Sequence, residues 1–248
     1  VGWWNNKHNR HHANPNRVSY DPDIEIPVVQ TTAFPRLRQR SRLVRWTLDH
    51  QSVGFFPFLF FQGLLLHISS FQRVFGRKEV PHRHVEIGLI LVRLGGFTGL
   101  TFLVLSPGRA GVFLGVQLAV FGFYLGAVFA INHMGMPLIP KDLKLDFFRR
   151  QVVTGRNIRG GRLTAFTMGG LNYQIEHHLF PSMARPQLRR AAPLIEAFCL
   201  ERDVPYTQTG VREAFRSVTN YIDEVGLGHQ DPFECPMIVQ RQLAMPVT

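Results

Sequence analysis

Residues 85–131 decide the fold: "VEIGLILVRLGGFTGLTFLVL" at 85–105, the link "SPGRA", then "GVFLGVQLAVFGFYLGAVFAI" at 111–131. Each apolar run approaches the roughly 20 residues a helix needs to cross a bilayer. So short a link leaves room only for a turn, and the pair predicts a helical membrane hairpin. Gly95, Gly96, Gly99, Gly115, Gly122 and Gly126 punctuate both runs, as membrane helices permit, and small residues let helices approach closely. Arg93 is the awkward residue, because a charge at the bilayer centre costs at least about 2.5–3.5 kcal/mol. Its long side chain is expected to snorkel to the near interface or to face the protein interior.

A third apolar segment, "VGFFPFLFFQGLLLHISSF" at 53–71, is interrupted by Pro57 and carries Gln62, His67, Ser69 and Ser70. Those residues predict a re-entrant, interfacial or buried helix rather than another span. Beyond residue 140 the chain turns soluble in character. "PQLRRAAPLIEAFCLE" at 186–201 and "TGVREAFRSVTNYIDEV" at 209–225 read as amphipathic helices. The expected fold class is all-α: an integral membrane hairpin at about 85–131, interfacial helices, and a cytoplasmic helical cap. One domain is expected over 1–225 and a patternless tail over 226–248.

Hydrophobic residues make up 45% of the 248, and their concentration in these segments excludes an ordinary soluble domain. Lys and Arg total 28 against 17 Asp and Glu, giving a formal charge of +11. Such a balance suits acidic partners, anionic lipid or nucleic acid. No aromatic residues interleave with the basic clusters as a nucleic-acid platform requires, so nucleic acid is not an expected partner. Arg36, Arg38, Arg40, Arg42 and Arg45 in "RLRQRSRLVR" form either a solvated face or a juxtamembrane stretch facing anionic headgroups. Two cysteines, Cys199 and Cys235, are too few for a disulfide framework and fit a reducing compartment. The chain has no initiator Met and looks like a piece of a longer protein.

Two histidine clusters flank the apolar region. "WWNNKHNRHHANPN" at 3–16 holds His8, His11 and His12, and "NYQIEHHLFP" at 172–181 holds His177 and His178 with Gln174 in the leading slot. Positions i, i+3 and i+4 share one face of a helix, so each cluster can converge on metal. Imidazole suits Zn, Cu, Fe and Ni alike and does not name the ion. If both clusters serve one centre, an even number of membrane crossings separates them, and the hairpin supplies two. Arg109 alone occupies the hairpin loop. Arg36–Arg45, Arg77, Lys78, Arg149, Arg150, Arg156, Arg159 and Arg162 fall on the other side, which the positive-inside rule makes cytoplasmic.

The first cluster with the following "DPDIEIP", and "GGLNYQIEHHLFPSMARPQL" followed by "VPY", closely resemble the second and third histidine boxes of membrane fatty acid desaturases. The glutamine form of the third box, Q-x-x-H-H, resembles the front-end branch that includes Δ5 and Δ6 acyl desaturases. The resemblance covers the chain up to about residue 225. It implies a centre of two iron ions at the cytoplasmic membrane face, beside a tunnel for an acyl chain. It assigns His8, His11, His12, His177 and His178 as iron ligands, with Gln174 in the position of a further one. His133, in "FAINHMGMP", matches an additional ligand between the boxes, and Asn132 and Asp146 are candidates for orienting ring nitrogens. His82 and His84 are expected to be solvated, and His50, His67 and His229 to be structural.

Dehydrogenating an unactivated methylene needs a redox-active metal, which Zn²⁺ is not. The reacting carbons carry no polar group, so regioselectivity must come from where the tunnel holds the chain. The implied partners are an acyl-CoA or acyl-lipid substrate, O2, membrane lipids, and an electron donor such as cytochrome b5 or ferredoxin with its reductase. The family's separate first box, H-x-x-x-H, and the H-P-G-G haem motif of a fused cytochrome b5 domain do not occur in this sequence. The 248 residues alone are therefore expected to be inactive. A diiron lipid hydroxylase of the same superfamily, a basic non-enzymatic membrane-associated fragment, and a vestigial product without iron are the alternatives.

Overall fold

The first histidine cluster lies on helix α1, Gly2–Ala13, in a computed structural model that describes residues 2–24, 42, 46, 50–76 and 79–227. After it come α2 (Gln51–Phe75), α3 (Arg83–Val104), α4 (Pro107–His133), α5 (Phe147–Val153), β1 (Asn157–Arg159), α6 (Arg162–Thr167), α7 (Gln174–Leu179), α8 (Arg185–Glu201), β2 (Gln208–Gly210) and α9 (Val211–Leu227). Arg36, Arg38, Arg40, Arg45, Arg77, Lys78, His229, Cys235 and the tail from 228 lie outside the described residues, while Arg42 is exposed. The molecule is mostly helical. Beside the helices there is one short parallel pair, with Asn157, Ile158 and Arg159 of β1 opposite Gln208, Thr209 and Gly210 of β2. Three-residue strands are too short to show the alternation by which strands are recognised.

Two compact units share the chain: Val1–Asn9 with Phe56–Ala127, and Arg10–Phe55 with Val128–Thr248. Among the described residues three helices, mostly within the first unit, are long and apolar enough to cross a membrane: α2, α3 and α4, with mean hydropathy 1.5, 1.9 and 2.1 over their best windows. Pro57 does not break α2. It stands in the second turn, where its missing N–H forfeits only the bond to the Val53 carbonyl, and the helix continues through it. Helix α2 packs on α4 at a glycine crossing. A Cβ on Gly63 would meet the Leu118 carbonyl at 2.5 Å, and one on Gly122 would meet the Leu59 carbonyl at 2.8 Å. Phe60 and Phe123 stack beside the crossing at 4.8 Å. Helix α3 contains a π-turn over Leu91–Gly95, and Arg93 within it is exposed rather than turned to the protein interior. The same unit pairs the Gly2 amide with the Glu86 carboxylate at 2.8 Å.

The second unit has an apolar core of Val152, Val153, Ile175, Ile195, Cys199 and Val204, packed by Leu145, Phe148, Leu179 and Tyr206. Both amphipathic helices expected at the C-terminal side form. On α9 the fully buried Ala214, Val218, Ile222 and Val225 recur at helical spacing. The last two residues of α9 extend into what was expected to be tail. Next to this core lies a second, polar interior: His11, His12, His133, His178, Gln151, Asn157, Gln174 and Glu176 are all buried. So many buried polar groups need internal partners, because each unpaired one costs about 1–3 kcal/mol.

Candidate metal centre

Three helices deliver imidazoles to this polar interior. His11 and His12 occupy the last turn of α1, His133 is the final residue of α4, and His177 and His178 sit in the short helix α7. The rings of His11, His133 and His178 lie 4.7–5.0 Å apart, centroid to centroid. Their candidate ligand nitrogens all fall within 4.8 Å of one another. Metal–nitrogen bonds of about 2.1 Å hold ligand nitrogens roughly 3–4 Å apart, so small ring movements suffice. His12 adjoins the same group, stacked on His178 at 4.4 Å and edge-on to His177 at 4.7 Å. His8 lies one turn before His12 on α1, within the first unit, and stacks on Trp4 at 5.8 Å.

The opposite side of each buried ring is fixed by an oxygen. His11 Nδ1 lies 2.9 and 3.0 Å from the two Asp21 oxygens, with an Asp23 oxygen at 3.5 Å. His178 Nδ1 donates to Gln151 Oε1 at 3.1 Å, and His133 Nδ1 donates to the Thr154 carbonyl at 3.2 Å. Each acceptor demands a proton on Nδ1, which leaves Nε2 with its lone pair. The buried Nε2 atoms of His11 and His178 have no hydrogen-bond partner among the described residues. His133 Nε2 accepts from the Gln174 amide at 2.9 Å, while Gln174 Oε1 accepts from Asn132 at 3.0 Å. Orphaned, converging Nε2 lone pairs backed by oxygen acceptors are the donor set a transition metal takes. The residues present fit such an ion.

Burial and the neighbouring imidazoles hold the His178 pKa well below the ordinary histidine value, so it stays neutral and able to ligate. One glutamine joins the clusters: Gln151, fully buried on α5, also donates to the His12 carbonyl at 2.9 Å. Asn16 closes the other side. Its amide N–H donates to Asp21 at 2.7 Å and its side chain donates to the carbonyls of His133 and Pro137 at 3.2 and 3.3 Å.

Asn132 meets the expectation of a supporting group only at one remove, through Gln174, and it also donates to the Leu171 carbonyl at 3.0 Å. Asp146 does not orient an imidazole. It is exposed and caps α5, accepting from the Arg149 amide at 2.9 Å and pairing with its guanidinium. That role follows from its place just before a helix, where a carboxylate satisfies the free N–H groups. The orienting residues are instead Asp21, Gln151 and the Thr154 carbonyl. Asp21 could have been suspected from the "DPD" that follows the first cluster, whereas nothing in "RRQVV" marks Gln151. His82 and His84 are exposed. His67 donates to the Gly63 carbonyl at 2.7 Å, and His50 stacks on Trp46 at 5.1 Å.

A sequence model of the fatty acid desaturase family matches residues 1–210, including every histidine of the site. The chain belongs to the fatty acid desaturase family. Among similar proteins, an acyl-lipid (9-3)-desaturase of Physcomitrium patens is 31% identical over 91% of this chain and 44% of its own length. A Delta(5) fatty acid desaturase, fat-4, of Caenorhabditis elegans is 32% identical over 83% of this chain and 48% of its own. An acyl-lipid (8-3)-desaturase of Thraustochytrium is 29% identical over 92% and 52%. This desaturase-family chain thus spans about half the length of the relatives it matches. No solved structure matches it.

Proposed function

We propose that the chain is the histidine-box portion of a front-end acyl desaturase, which inserts a double bond into an acyl chain with O2 and two electrons from an external donor. The observation that carries this reading is the set of three buried imidazoles, His11, His133 and His178, converging from three helices with their Nδ1 atoms held by oxygens. The Q-x-x-H-H pattern, together with relatives named as Delta(5), (8-3) and (9-3) desaturases, supports the front-end branch. Iron, in the two-ion arrangement of the family, would supply the O2 activation that breaks unactivated C–H bonds.

The ligands proposed for it are His8, His11, His12, His133, His177 and His178. His8 enters through helical spacing alone, four residues before His12 on α1. Gln174, expected among the ligands, is assigned a positioning role at His133, to whose Nε2 its amide donates. Asp21, Gln151 and Thr154 hold the ring protons on Nδ1 and keep each Nε2 basic. The half-buried ring of Phe129, 5.2 Å from His11 and 4.9 Å from His133, gives the reacting side an apolar wall.

For the membrane, α3 and α4 are proposed to cross as a pair, with α2 entering without crossing and the histidines on the cytoplasmic face. Of the eleven histidines in the 248 residues six are proposed ligands, and with no separate H-x-x-x-H box the chain alone is proposed to be inactive.

The test is expression of the full gene product in a desaturase-null host, with mass spectrometry of derivatised fatty acid methyl esters. A new double bond that is lost with His178→Ala is the expected result, and the 248-residue chain alone should yield none. A product that has gained oxygen would make the protein a hydroxylase. An unchanged lipid profile from the full product would overturn the reading.

A further inference from the structure

We infer that Glu176, Tyr206 and Asn157 form a buried latch that sets the rotation of the helix carrying His177 and His178, which makes Tyr206 and Asn157 positioning residues for the metal centre. The inference rests on the metal reading above, but its geometric half can be tested without metal.

Helix α7 has only six residues and no side-chain cap at its N-terminus. A helix so short has no stability of its own, and its orientation must be imposed from outside. Asn157 of β1 imposes it: Oδ1 accepts from the Ile175 amide at 2.9 Å, doing from another element what an N-cap does. This contact fixes the orientation of the Asn157 amide, so that Nδ2 must face away from α7's backbone. Both Nδ2 hydrogens are then used, on Glu176 Oε2 at 2.7 Å and on the Tyr206 hydroxyl oxygen at 2.7 Å. Tyr206, 30 residues downstream of Glu176, donates to Glu176 Oε1 at 2.8 Å and closes the ring. Glu176 and Asn157 are fully buried. Four donor hydrogens each meet one of four oxygens, a pairing that a rotated α7 could not keep.

The consequence for the metal is geometric. His177 and His178 follow Glu176 directly, and an imidazole nitrogen stands roughly 6 Å from its helix axis, so a 10° rotation of α7 displaces it by about 1 Å. Displacement of that size separates a working site from a loose one. The arrangement also has a symmetry. Among the described residues only two carboxylates are buried, Asp21 and Glu176. One holds a ring of the first cluster directly; the other anchors the helix of the second.

Cobalt(II), whose visible absorption reports ligand geometry, is titrated into the detergent-solubilised 248-residue chain, alongside hydrogen exchange of the α7 amides. Tyr206→Phe removes one hydroxyl and is expected to weaken cobalt binding about tenfold and alter the spectrum, within the range seen for groups behind metal ligands. Glu176→Gln turns an amide N–H toward the Asn157 or Tyr206 donor and should cost more. Adding Asn157→Ala to Tyr206→Phe should add less than the sum of the two losses, because both break one ring. Exchange at 175–179 should quicken in Tyr206→Phe and Asn157→Ala with or without cobalt. If Glu176→Gln does not fold, Tyr206→Phe carries the test.

Cobalt affinity within twofold of wild type, with an unchanged spectrum, in Tyr206→Phe overturns the positioning role even if the variant melts lower. Unchanged exchange overturns the latch itself. A wild-type chain that binds no cobalt, yet shows the exchange differences, overturns the metal reading and leaves the latch standing.

Discussion

At the scale of single residues, the site depends on what stands behind each imidazole. Asp21→Asn keeps the shape but removes the charge that faces His11 Nδ1 and the Asn16 amide, and metal affinity is expected to fall about 10–100-fold. Gln151→Leu severs the bridge between the His12 carbonyl and His178 Nδ1. Titration of metal into the variant should show a loss of similar size, and its unfolding free energy should drop by about 1–3 kcal/mol. His178 also makes a prediction for pH. Its folded pKa lies below the ordinary value, so between the two the unfolded chain binds more protons, and stability rises with pH. The contribution is complete above about pH 6.5 and is lost as pH falls, at up to about 1.4 kcal/mol per unit. Metal-free melting curves from about pH 7 down to 5 should show that slope, and His178→Gln should flatten it. Glu176, whose pKa burial raises, acts in the opposite sense: its contribution is lost as pH rises through its folded value. It cannot produce a loss on acidification.

At the scale of elements, the glycine crossing of α2 on α4 gives the sharpest test of packing. Gly122→Val would force a side chain against the Leu59 carbonyl, whereas Gly115 on the same helix has nothing within 4 Å of an added Cβ. Thermal unfolding in detergent should show a loss of about 1–3 kcal/mol for Gly122→Val and almost none for Gly115→Val. Which elements could be read from the sequence follows from the range of the signal. The long helices are visible in hydropathy, and the two histidine clusters in their spacing, because both patterns are local. Pro57 leaves α2 unbroken because a proline's effect depends on how near it stands to the helix start, and α2 begins at Gln51. β1 and β2 pair residues about 50 apart over three positions and leave no periodic trace. Gln151 stayed hidden for the same reason: its partners His12 and His178 lie 139 and 27 residues away, and a buried glutamine is written no differently from an exposed one.

At the scale of the molecule, the two histidine clusters limit how the chain can thread a membrane. The His12 ring lies within 4.4–4.7 Å of those of His178 and His177, so any threading of a membrane by the chain between them must use an even number of crossings. Among the described residues three helices between them are apolar and long enough to cross, one more than an even count takes. α2 is the weakest of the three in hydropathy, and it carries Gln62, His67, Ser69 and Ser70. Its contact with Gly122, near the middle of α4, places it against the apolar length of that helix. The proposed topology, a re-entrant α2 with α3 and α4 crossing, satisfies the count, and under it Arg109, in the first turn of α4, stands on the side opposite the histidines. Single cysteines decide this. Leu200, 84% exposed at the end of α8, and Arg109, also exposed, are replaced one at a time by Cys in a Cys235→Ser background. Cys199 is buried with its thiol pushed up to about 11, so it reacts slowly and can stay. In sealed vesicles an impermeant maleimide should label residue 109 from one side only and residue 200 from the other only. Labelling of both from the same side would mean that α3 and α4 do not carry the chain across and back in the way proposed, and α2 would have to supply one of the two crossings.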